Sequence, residues 1–262
     1  SQFRAVVDRR VEQGFNVYQC NFRDGKDYHA FGRYFEYLLE TEHGYAPNLQ
    51  LLQENVDPKM AYLADAGFVI AAGYSWGGAI LAEGRLERYK LLAKYLVARY
   101  GAYPMVWTLA GEVPGYSPEQ MQPMADLWRE VALETQKYDT YQQLRTAHYA
   151  TNEPRTDTYV DEPWFDFALT QSGHGDFRVD YDAYAHFIAA HPGVPLVEGE
   201  SLYDGIESNE SMGPRYIQPI HVRRPAYLCI QSGGCGYSYG ANGIWELQYE
   251  ADKGAWGQMW GS

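Results

Sequence analysis

Residues 103–116 read YPMVWTLAGEVPGY, and the reading of this stretch decides the fold. The run PMVWTLA carries no charge and no alternation of polar with apolar residues. That is the pattern of a strand covered on both faces, as in a parallel sheet flanked by helices. It stops at Gly111 and Glu112. An ionisable group at the carboxyl end of such a strand stands where parallel sheets and barrels build their sites.

Similar runs recur on either side. Strands are expected over 15–20, 67–73, 104–110, 144–149, 165–170, 194–198 and 226–232, with helices around 3–13, 57–66, 85–100, 118–137, 180–191 and 213–224. RLERYKLLAKYLVARY has apolar residues at helical spacing and Gly101 to end it. SPEQMQPMADLW opens with Ser117 as a cap and Pro118 in the first turn. Strand and helix alternating in this way predict a parallel sheet, open or closed into a barrel. Seven strands are expected, and the chain opens on a helix, so an eight-stranded barrel would lack its first strand and its last helix here. No composition break divides residues 1–262, and a single domain is expected.

Bulk properties narrow the ligand. The net charge of −13 argues against nucleic acid, which needs a surplus of Lys and Arg, and fits a neutral or cationic ligand better. Aromatic residues reach 16%, which suits either rings stacked on sugar faces or an aromatic-rich core, and composition leaves both open. Cys20, Cys229 and Cys235 form no CxxC and indicate neither a zinc cluster nor a disulfide framework. No run is long enough for a membrane span and no signal peptide is visible, as would also hold for a mature secreted chain. No metal or other cofactor is expected.

Two motifs compete for attention. GYSWG at 73–77 matches the G-x-S-x-G elbow, with Ser75 as nucleophile and His174 or His221 as base. Only one strand precedes it and no oxyanion loop lies upstream, so a strand end turning on glycines is preferred. Asn152 and Glu153 in TNEP resemble a glycosidase acid/base site, but Pro154 and the polar run after it favour a loop. His148 and His174 sit at the carboxyl ends of expected strands, without metal-ligand spacing, and point to substrate hydrogen bonding or the tuning of a nearby acid. The strand VPLVE leads to Glu198 and Glu200, which a side-chain period of two would aim the same way, Glu200 lying nearer the carboxyl end.

WTLAGE (107–112), TQSGHG (170–175), PLVEGESLYDG (195–205) and RRPAYLCIQSGGCGYSYGANGIW (223–245) resemble motifs of the apiosidase-like glycoside hydrolases, over most of the chain from GFNV to about Trp245. The resemblance implies a (β/α)8 TIM-type barrel that cleaves a glycosidic bond in a plant or microbial polysaccharide by a retaining mechanism. It also implies a secreted, periplasmic or cell-surface location. Glu112 and Glu200 take the catalytic positions, Glu112 as acid and base and Glu200 as nucleophile. Gln171, His174, Tyr203, Tyr239 and Trp245 take substrate-binding positions, joined by Trp76 and His148, and Gly111 is expected to leave room for the sugar. Ala110 and Asp204 depart mildly from the family pattern, and its Asp-Thr first strand is absent from this chain. The rival readings are a carbohydrate-binding barrel without catalysis and a serine esterase using Ser75.

Overall fold

A computed structural model describes residues 2–22, 36–115, 117–150, 158–173, 181–205, 207–208, 215–241 and 244. In chain order the elements are α1 (Gln2–Glu12), β1 (Val17–Asn21), β2 (Leu38–Thr41), β3 (Gly44–Pro47), α2 (Leu49–Leu51), α3 (Asp57–Asp65), β4 (Val69–Trp76), α4 (Arg85–Tyr100) and β5 (Met105–Gly111). They continue with α5 (Pro118–Tyr138), β6 (Leu144–Arg145), β7 (Ala168–Gln171), α6 (Tyr181–Ala190), β8 (Leu196–Glu200), β9 (Glu207–Ser208), β10 (Arg215–Tyr216), α7 (Pro219–Gln231) and β11 (Gly236–Tyr237). The chain is α/β, with parallel strands separated by helices.

The described residues fall into two compact units. One takes Arg10–Ala150 and Asp161–Asp166. Its sheet runs β1-β4-β5-β6, all parallel, and β2 and β3 form a separate hairpin. The other takes Ser1–Arg9, Thr151–Val160 and Phe167–Ser262. Its sheet runs β11-β8-β7, again parallel, beside a small antiparallel pair of β9 and β10.

In the first unit every residue of β5 is buried, as the uniform apolarity of PMVWTLA requires. The helix α4 spans the residues its periodicity picks out, burying Leu92, Ala93, Leu96, Val97 and Tyr100, and the Gly101 amide closes it on the Val97 carbonyl. Tyr74 stacks on Trp107 with ring centroids 5.8 Å apart, and Tyr89 lies 5.1 Å from Trp128. Ser117 holds the cap position of α5, but its hydroxyl bonds the Glu119 carboxylate rather than the helix backbone.

Three expectations change. Residues 226–232 are not a strand: they are the second half of α7 with its cap Ser232, and the seventh parallel strand is β11, further on. A short apolar run fits strand and helix alike. Here Val222, Pro225 and Cys229 recur at helical spacing on one buried face, and Gly233, at φ +103°, turns the chain toward β11. The helix expected over 213–224 begins only at Pro219, where Gln218 and His221 form a capping box. Strand β6 is two residues long, and at its end Arg145 forms a buried bridge to Asp139 at 3.1 Å while its amide donates to Asp166.

Candidate functional site

The first unit gathers three of the expected residues at the carboxyl ends of neighbouring parallel strands. Trp76 ends β4 and pairs with Gly111, which ends β5, and Glu112 follows directly. Beyond β6, the Val113 amide donates to the His148 carbonyl at 2.9 Å, and Val113 bridges to Tyr149. Trp76, Glu112 and His148 therefore share one edge of one sheet, with His148 buried and Glu112 half-buried.

Gly111 does not leave room for a sugar. A Cβ there would lie 2.1 Å from Cε3 and Cζ3 of Trp76, so the indole already occupies the space that the missing side chain opens. Gly77 presses on the same turn, since a Cβ on it would stand 2.9 Å from the Glu112 carbonyl oxygen. Glu112 itself has φ 59°, a left-handed conformation that costs a non-glycine residue about 1 kcal/mol or more. Packing on Gly111 and Gly77, together with the Val113 ladder, holds the carboxylate's backbone in that conformation.

Ser75 lies elsewhere. It is a strand residue opposite Ala110 and only 1% exposed. Its hydroxyl accepts from Tyr89 on α4 at 2.9 Å, so it faces the helical layer and not the strand ends. His221, one of the two bases considered for it, accepts the Gln218 amide at 3.0 Å as part of the α7 cap.

The second unit places Glu198 and Glu200 differently. A period of two would aim both the same way, but the register slips: Thr170 pairs with Glu198, and the next residue, Gln171, pairs with Glu200. Gly199 is the extra residue of a bulge, and neighbours such as Thr170 and Gln171 point to opposite faces, so their partners do too. A Cβ on Gly199 would meet the Leu169 side chain at 2.6 Å, which explains the glycine. Glu198 turns to the helices, where Tyr184 of α6 donates to its Oε2. Its Oε1 accepts from the amides of Ser172 at 3.2 Å and Glu200 at 3.1 Å. Burial pushes this carboxyl up to about 7, against the lowering effect of those three bonds. The Tyr184 phenol is raised, first by burial and then by the charge of Glu198.

Gln171 and Glu200 end β7 and β8 side by side, both largely buried, and the Gly173 amide donates to the Glu200 carbonyl at 3.1 Å. Past β8, the Tyr203 ring lies on Gly240, where a Cβ would stand 2.1 Å from Cδ1 and Cε1. The Asp204 amide donates to the Gly240 carbonyl, and Tyr239 bonds the Asp204 carboxylate at 3.2 Å while packing on Leu202, Ile217 and Val222. Sequence reasoning missed the roles of Glu198, Ser172 and Tyr184; an isolated glycine within VEGE is the signal of a bulge.

His174, Trp245 and the TNEP segment lie outside the described residues. Among the described residues no group of three or more His, Cys, Asp or Glu is placed to hold a metal ion, and no helix is long and apolar enough to cross a membrane.

Comparison with known proteins completes the picture. The family model described as apiosidase-like, catalytic domain, matches residues 1–262. No curated protein matches the chain. Among solved structures, a glycoside hydrolase shares 20% identity at a TM-score of 0.74, covering 98% of this chain and 61% of its own. A family 5 glycoside hydrolase from Bacteroides vulgatus ATCC 8482 shares 20% identity at 0.70, covering 95% of this chain and 57% of its own. The tri-modular endo-beta-1,4-glucanase B from Bacillus halodurans shares 11% at 0.65, covering 92% of this chain and 51% of its own. These likenesses show a shared TIM-type α/β fold, and this chain spans less than two thirds of each of those chains.

Proposed function

The chain belongs to the apiosidase-like family and is a glycoside hydrolase, and from that premise we propose that it cleaves a glycosidic bond in a plant or microbial polysaccharide by a retaining, two-carboxylate mechanism. One observation carries the reading. Each of two parallel sheets delivers a glutamate at the carboxyl end of a strand, Glu112 after β5 and Glu200 at the end of β8, and parallel α/β folds build their sites at that end. A retaining cycle asks for carboxyl groups roughly 5–5.5 Å apart, whereas an inverting one leaves a wider gap for water.

In the first half of the cycle the Glu200 carboxylate attacks the anomeric carbon. The glycosidic bond breaks, and Glu112 gives its proton to the departing oxygen. In the second half the Glu112 carboxylate takes a proton from water as that water attacks the same carbon. The ester to Glu200 breaks, and the configuration is restored. Gln171, beside Glu200, and His148, beside Glu112, are the hydrogen-bonding contacts to substrate, with Trp76 and Tyr203 as ring surfaces and Tyr239, His174 and Trp245 completing the site. Action outside the cytoplasm suits a polymeric substrate.

The test is reducing-sugar release from pectic, arabinan and other plant or bacterial polysaccharides, followed by proton NMR of the first-formed anomer. Retention is expected, with azide restoring turnover to Glu112→Ala and Glu200→Ala. An inverted product overturns the mechanism. Undiminished turnover in Glu200→Gln removes the nucleophile assignment, and saccharide binding without turnover in the parent overturns catalysis itself.

A further inference from the structure

We propose that Glu198 is a positioning residue for Glu200: its buried carboxylate fixes the backbone at the ends of β8 and β7, and with it the direction in which the Glu200 side chain leaves the strand. The proposal rests on the reading of Glu200 as the nucleophile.

The geometry is specific. At the bulge the regular ladder between β7 and β8 is interrupted, and a bulge leaves its extra residue outside the pairing. Both amides just past the interruption, those of Ser172 and Glu200, donate to one atom, Oε1 of Glu198. The Gly173 amide then returns to the Glu200 carbonyl. One side chain thus replaces the ladder where the strands end, and Tyr184 holds its other oxygen from α6.

The helix-facing side of a buried strand ordinarily carries an apolar residue. Glu198 is fully buried, and a carboxylate there is costly unless it is hydrogen-bonded. Among the described residues, the titratable groups that interact with it, Tyr184 on α6, Cys229 on α7 and Tyr237 on β11, bring no positive charge, and each is itself raised, first by burial. A buried carboxyl bonded to two backbone amides beside the nucleophile is explained by what those amides hold in place. Misplacing a reacting group by about 1 Å can cost about 100-fold in rate.

The experiment compares Glu198→Met, nearly isosteric but without an acceptor, with Glu198→Gln, whose carbonyl still accepts both amides. The substrate is the polysaccharide giving the largest reducing-sugar release in the panel above. Glu198→Met should lose about 100-fold in kcat with KM changed by less than about threefold. Hydrogen exchange by NMR should show the Ser172 and Glu200 amides exchanging about tenfold faster or more. Glu198→Gln should recover kcat to within about fivefold of the parent. Unchanged kcat in folded Glu198→Met, or unchanged exchange at both amides, overturns the proposal.

Should Glu198→Met fail to fold, Tyr184→Phe carries the test, because it frees Oε2 alone. A fall in kcat of about threefold at constant KM is then expected, and no fall overturns the proposal. Glu200→Ala run alongside separates the two ideas. If it keeps turnover, the nucleophile assignment fails and the positioning role with it; if it is inactive while Glu198→Met is fully active, only the positioning role fails.

Discussion

The ends of β5 and β8 each present a glutamate, and each lies near an aromatic ring seated on a glycine, Trp76 on Gly111 and Tyr203 on Gly240. They differ in how the glutamate's backbone is held. Around Glu112 the hold is steric: an indole fills the place of a side chain, Gly77 abuts the carbonyl, and the residue is kept at a positive φ. Around Glu200 the hold is polar, a fully buried carboxylate one residue before the bulge accepting two amides and a phenol. A sterically held site tolerates pH and resists added volume poorly. A site held by hydrogen bonds is indifferent to small changes in volume elsewhere and sensitive to loss of a single acceptor.

The largest effects should come from the two carboxylates. Glu112→Gln is expected to lower kcat by about 10²–10⁴-fold, the range for a missing acid and base, and Glu200→Ala by at least as much. Glu112→Gln should melt near the parent, since that side chain is half-buried and keeps its volume. A Glu112→Gln variant with turnover within a few-fold of the parent would remove the steric half of the comparison from catalysis altogether.

Next in size is Gly111→Ala. Its Cβ would enter the Trp76 ring at 2.1 Å from two atoms, and an indole is too large to give way cheaply. Overpacking of this kind costs about 3 kcal/mol or more, or roughly 6–12 °C in Tm for a chain of this length. Substrate affinity should fall with it, because Trp76 must move. A Tm within a degree of the parent would mean that the indole is not seated on Gly111 in solution.

The steric region was legible in the sequence and the polar one was not. PMVWTLA reads as a doubly covered strand because burial on both faces needs only local apolarity, and α4 is found from its spacing alone. The glycines at 77 and 111 are visible, but not the ring that lies on one of them. A bulge is a relation between two strands. Whether Glu198 and Glu200 share a face depends on how β8 registers against β7, and the sequence carries only the hint of Gly199. Residues 226–232 misread for a related reason: seven residues rich in apolar side chains satisfy either period, and only the burial of Val222, Pro225 and Cys229 on one face selects the helix.

Glu198 offers a milder test, of pH. Its carboxyl is raised from 4.5 to about 7, so the folded state binds a proton that the unfolded state releases between those values. Stability from this group therefore falls as pH rises through that window, is flat above about 7, and contributes nothing to the slope below 4.5. The whole change is no more than about 3 kcal/mol. Glu198→Gln cannot titrate, so denaturant melts at pH 5 and pH 8 should show the variant gaining on the parent at the higher value. An equal difference at both would mean that Glu198 is ionised throughout and held more strongly than burial suggests.

The smallest effect belongs to Ser75, on the helix side of the strand that carries Trp76. Its hydroxyl accepts the Tyr89 phenol within a buried layer, and Ser75→Ala removes that acceptor while leaving the strand pairing with Ala110 intact. A lost buried hydrogen bond costs about 1 kcal/mol, or about 2–4 °C in Tm for a chain of this length. Turnover should stay within a few-fold of the parent, because the serine lies behind the strand ends rather than on them. The two readouts separate the remaining enzymatic alternative, in which Ser75 is a nucleophile. That alternative requires labelling by an organophosphonate and a loss of several orders of magnitude in turnover at an unchanged Tm. A glycosidase whose carboxylates act at the strand ends gives the reverse, a lowered Tm with activity retained and no label.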